Sequence, residues 1–295
     1  MQQLPLLERY IFSGIFLCSL LSAFLGFLQV RTEKVWLRRF LIAFSALIIS
    51  LSAILLVFRA SHIGALPITN IFESMLFLLI FIGVTFLFLS AFLQQVWFSS
   101  VMTWVLFAIV MLAAMVIKPT STFRANAQTP WVIFHALSMS LSGAMIVFST
   151  AMSSLVLVSC NRLKNKQMSK LFGKMPNIER LEFFNLVGLR LTFIAMTFGL
   201  VSGIGMAAVK SAGANITFMD WLVDSMIVMT AGSWLMLMVV LLLSRFIAFS
   251  GKTQARLTLV VCFLIIFTFV GTRVFCKSSH TFVNNVVKVC DAAEC

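Results

Sequence analysis

The side chains in this chain best suited to hold a metal or a haem iron are three histidines, His62, His135 and His280, each beside the outer end of a hydrophobic span. Imidazole is the commonest protein ligand for such ions, so this arrangement concentrates ligand chemistry at one membrane face. The sequence carries no nucleophile–base pair, no phosphate-binding glycine loop and no histidines at metal-site spacing. Self-contained catalysis is therefore disfavoured, and binding or delivery is the chemistry to expect.

The elements that position these histidines are membrane helices. Hydrophobic residues make up 61% of the 295, charged residues 11%, and the mean hydropathy is +1.07, a composition of a polytopic membrane protein. A helix needs about 20 apolar residues to cross the hydrocarbon layer. Eight such stretches are expected, near 10–30, 40–58, 74–93, 96–117, 131–160, 187–209, 225–244 and 257–275. The third and fourth form one uncharged run, broken here at Gln94 and Gln95 because a single helix of that length would overrun a bilayer. The first stretch is too long, and too plainly followed by others, for a cleavable signal, and is expected as a true helix. The fold class is thus all-α, a transmembrane bundle.

Lysine and arginine set the orientation. The alternate connections 31–39, 94–95, 161–186 and 245–256 carry 4, 0, 6 and 3 basic residues; the other termini and connections carry 8, and Arg190 lies inside the sixth span. Both termini are therefore expected outside. The net charge of +13 reads as membrane topology and attraction to anionic lipid, with no need for nucleic acid. Residues 1–275 form the transmembrane domain, and 276–295 an outward tail in which Cys276, Cys290 and Cys295 lie where an oxidising compartment would allow a pairing. Cys18, Cys160 and Cys262 belong to the spans and read as packing residues.

Four segments carry local signals. In the connection from Arg59 to Ser74, Pro67 discourages continued helix, Thr69 or Asn70 can cap the next one, and Glu73 falls in its first turn, where Arg59 is a reasonable partner. His135 lies about one turn below the interfacial Trp131, either bonded to a neighbouring helix or serving as a ligand. The run Asn177 to Glu182 looks like an amphipathic helix start at the surface, and Gly199, Gly203 and Gly205 mark a place where helices can approach closely. Finally, Trp221 and Asp224 stand in the outer connection after the sixth span, an aromatic plate beside a carboxylate that suits a flat amphiphilic ring.

Taken in order, these pieces resemble the cytochrome c assembly family of haem-handling membrane proteins, the CcsA, CcmC and HemX group. The likeness covers most of the chain: Pro67, Asn70, Glu73 and Ser74; His135; Pro176 to Glu182; Gly199 and Gly203; and Lys277-Ser-Ser-His280-Thr-Phe282. The family's tryptophan-rich outer loop is matched by Trp221-Leu-Val-Asp224, followed ten residues later by Trp234. Its companion tryptophans and the Pro-Lys-Glu after the aspartate are absent, which makes this a diverged member. The resemblance implies haem b bound in transit at the outer face, with His135 and His280 as axial ligands and Trp221 and Asp224 as the remnant platform. His62 becomes either a ligand on the transfer path or an interfacial residue. Propionates would meet cations such as Arg59, Arg124 or Arg273. The implied partners are apocytochrome c, other assembly subunits and membrane lipid, and the implied site is a bacterial inner membrane or its equivalent. Two rival readings keep the helices without haem presentation, a regulatory scaffold of tetrapyrrole metabolism and a small-molecule transporter.

Overall fold

The computed structural model describes residues 5–32, 34–68, 70–92, 96–116, 129–164, 177–211, 225–246 and 250–268. These form eight helices: α1 (Leu6–Thr32), α2 (Val35–Ile63), α3 (Ile71–Phe92), α4 (Val96–Met115), α5 (Pro130–Lys164), α6 (Ile178–Ser211), α7 (Ser225–Phe246) and α8 (Gly251–Ile266). No strand occurs among the described residues. The first seven helices are long and apolar enough to cross a membrane, which makes this a multi-pass integral membrane protein. Helix α8 has 16 residues, its winding continues through Thr268, and the rest of the expected eighth span lies outside the described residues.

The uncharged run does divide, with α3 ending at Phe92 and α4 starting at Val96. The amphipathic start expected at the surface is not a separate element. It is the first turn of α6, one continuous 34-residue helix, where Asn177 Oδ1 accepts from the Glu179 N–H at 3.0 Å. Helix α2 ends at Gly64, whose φ of 66° lets its N–H return to Ala60 O. An L side chain there would be strained, so glycine is the natural stop.

Hydrogen bonds between helices show that α1 and α2, α2 and α3, and α5 and α6 run antiparallel. Glu8 at the start of α1 meets Arg59 at the end of α2, Arg38 at the start of α2 donates to Ser90 O at the end of α3, and His135 early in α5 meets Gly199 late in α6. Among the described residues Arg31, Lys34, Arg38, Arg39, Lys164, Arg180, Arg245, Lys252 and Arg256 therefore gather at one end of the bundle, and Arg9 and Arg59 at the other. That separation agrees with the charge asymmetry read from the sequence.

Two interiors result. Phe12, Ile48, Leu55, Phe72, Leu79, Phe98 and Met152 pack α1 to α5 together, while Ile146, Leu189, Met196, Leu237, Val261 and Ile265 join α5 to α8. The outer surface is as apolar as the core, with Phe24, Phe88, Phe183, Val201 and Phe263 exposed. In a bilayer such surface meets lipid, so helix association must rest on close packing and small residues.

Candidate functional site

His135 lies on the face of α5 that packs against α6, and the packing is made by glycines. A methyl group at Gly205 would fall 2.7 Å from the Trp131 ring, one at Gly203 would fall 3.4 Å from the His135 ring, and one at Gly199 would fall 2.7 Å from Met139 Cε. Trp131, His135 and Met139 recur every fourth residue, so one stripe of α5 is seated in one groove of α6. The glycines are a mould for these three side chains.

Within that groove His135 Nδ1 is 2.7 Å from Gly199 O. A carbonyl only accepts, so Nδ1 carries the proton and Nε2 keeps its lone pair. No described residue bonds to Nε2. A ring whose N–H is held by a backbone carbonyl, with its other nitrogen available, is the arrangement in which histidine ligates metal. The single proton of the Ser202 hydroxyl lies between Phe198 O at 2.8 Å and the same Gly199 carbonyl at 2.9 Å. Val132 of α5, Met206 of α6 and Ile68 of the α2–α3 connection pack together beside this site. The His135 groove and the α2–α3 connection therefore occupy the same end of the bundle.

His62 lies at that end too, in the last turn of α2, but it is exposed and packs edge-on against Phe58 at 4.5 Å. His280, Trp221 and Asp224 lie outside the described residues, as do Arg124, Arg273 and the tail cysteines. Among the described residues no group of three or more His, Cys, Asp or Glu is placed to hold a metal ion.

One expectation needs correction. Arg59 is not available to a propionate, because it is 1% exposed and bound on two sides. Its Nε and Nη2 donate to Glu8 Oε2 at 3.0 and 2.7 Å, and its Nη1 to Glu73 Oε1 at 3.3 Å. Glu73 Oε2 accepts from the Asn70 N–H at 3.0 Å, the reciprocal half of a capping box, and the guanidinium lies over the Phe72 ring at 4.8 Å. The Arg59–Glu73 pairing was legible from sequence, whereas Glu8 was missed; its signal was an acid in the first turn of the first apolar run. Trp234, ten residues after Asp224, stands inside α7 as its expected span requires, stacked on Phe193 at 5.3 Å, with Nε1 donating to Thr197 Oγ1 at 2.9 Å.

In comparisons with known proteins, no family model and no curated protein matches the chain.

Proposed function

We propose that this chain is a haem-handling membrane protein of the cytochrome c assembly type, with His135 as one axial ligand of haem b at the outer face. The observation that carries the reading is the 2.7 Å contact of Nδ1 with Gly199 O, because it leaves Nε2 free to bind iron in a groove cut for this ring. His280 is the second ligand of the reading, Trp221 and Asp224 are its plate, and His62 is a secondary contact. Haem would supply the redox-active iron, and the chain would supply an oriented imidazole. The work is delivery, with apocytochrome c and other assembly subunits as partners and a bacterial inner membrane or its equivalent as the site. Attachment of haem would belong to a lyase complex of which this chain is a part.

A second reading, a regulatory scaffold of tetrapyrrole metabolism, is favoured by one finding. Trp234, the next tryptophan after Trp221, is spent on packing inside the bundle and cannot supplement the plate of Trp221 and Asp224. Optical spectroscopy separates the two. Purified in detergent after expression with ample haem, the protein is expected to show a bis-histidine Soret band that weakens in His135→Ala and in His280→Ala. A preparation that stays colourless on haem addition rejects haem handling and leaves the scaffold.

A further inference from the structure

The ion pair at the outer end fixes the register of α1 against α2, and that register has consequences at the opposite end. With Glu8 opposite Arg59, each step of seven residues forward in α1 and back in α2 pairs Ile15 with Ser52, Ser22 with Ser45, and Gln29 with Arg38. Burial agrees, since Ile15, Ser52, Ser22, Ser45 and Gln29 are all enclosed. The neighbouring contact of Gly14 with Leu51 agrees as well.

The Gln29–Arg38 layer lies about one helical turn inside the ends of α1 and α2, at the basic face. Its donors have too few acceptors. Among the described residues, Gln29 Oε1 accepts from Ser100 Oγ of α4 at 3.1 Å, but its buried Nε2 has no partner. Arg38 donates from Nη2 to Ser90 O, while its buried Nε–H has no partner among the described residues. Trp97, one turn before Ser100 on α4, has a buried Nε1–H likewise without a described partner. Burying a donor without an acceptor is costly, so three such donors at this end of the bundle call for an acceptor. The described parts of α1 to α4 at this end contain no carboxylate, whereas Arg31, Lys34 and Arg39 add positive charge around the layer. Trp36 and Phe40, two residues to either side of Arg38, are exposed and meet edge-on at 5.6 Å, as aromatic side chains do at the headgroup level.

We propose that Gln29, Arg38 and Trp97 form an oxyanion site for a phosphate ester, supplied either by a phospholipid headgroup of the basic-side leaflet or by a soluble phosphate. A guanidinium with an unmet Nε–H, an amide N–H and an indole N–H give a phosphate the charge and the donors it takes. This site is independent of the haem reading, since it lies in α1, α2 and α4 at the opposite end from His135.

Phosphorus analysis and native mass spectrometry of the detergent-purified full chain test the proposal. The wild type is expected to retain a stoichiometric phosphate that Arg38→Gln and Gln29→Leu lose and that Arg31→Gln, on the exposed rim, keeps. Thermal unfolding of delipidated protein then separates the sources. A rise in Tm with phosphatidylglycerol micelles alone assigns a lipid, and a rise with inorganic phosphate alone assigns a soluble ligand; both must vanish in Arg38→Gln. The proposal is overturned if wild type and Arg38→Gln carry equal phosphorus, or if neither addition raises the wild-type Tm.

Discussion

Arg59 and His135 stand at the same end of the bundle, one in the α1–α3 corner and the other between α5 and α6. Arg59 is enclosed, with carboxylates from two other helices on its guanidinium and a ring beneath it. His135 has one nitrogen tied to Gly199 O and the other without a described partner. The contrast distinguishes a polar group used to hold helices together from one held in readiness. In a medium without water, both kinds of group need a reason to be there, and only the second has capacity left for a ligand.

The contrast can be broken or sharpened by mutation. Arg59→Leu is expected to have the largest effect, a loss of about 3–5 kcal/mol, because it strands Glu8 and Glu73 as buried, unpaired carboxylates. Unfolding in detergent measures this, and a Tm within error of wild type would show that the corner is not what holds α1 in place. Gly188→Ala comes next, at about 1–3 kcal/mol, since the added methyl meets Ser149, the Phe148 ring and the Met145 carbonyl at the tight α5–α6 contact.

His135→Ala should cost only about 1 kcal/mol of stability, the value of its bond to Gly199 O, while weakening the Soret band. Paired with Arg59→Leu, which is expected to unfold sooner yet bind haem at low temperature, it makes a two-way test. If His135→Ala were the more destabilising of the two, the imidazole would belong with the structural groups. The smallest change is Gly232→Ala on α7, where the methyl meets nothing; a gain of about 0.5–1 kcal/mol is expected from helix propensity, read by the same unfolding assay.

Much of the helical framework was legible in the residues. Membrane spans announce themselves because a bilayer demands length and apolarity along the chain, both local properties. The break at Gln94 and Gln95 followed from length alone, and the Arg59–Glu73 pair followed from the cost of placing a lone carboxylate near lipid. Glu8 was not legible, for it lies 51 residues from Arg59, and only the antiparallel register of α1 and α2 brings the two together. Trp234 falls within the expected seventh span, but only the packing of α7 turns it towards Phe193 and Thr197.

The sequence by itself determined the number of long apolar segments, the side on which cations collect and the few imidazoles available for ligation, because these depend on composition and order along one dimension. Only the tertiary structure decided which polar groups satisfy one another. It enclosed Arg59 between two glutamates, turned the protonated nitrogen of His135 onto a carbonyl in a glycine groove, and left buried donors of Gln29 and Arg38 unmet among the described residues. Hydrogen bonding and charge pairing act over a few ångströms, and such distances between remote residues exist only once the helices have chosen their register.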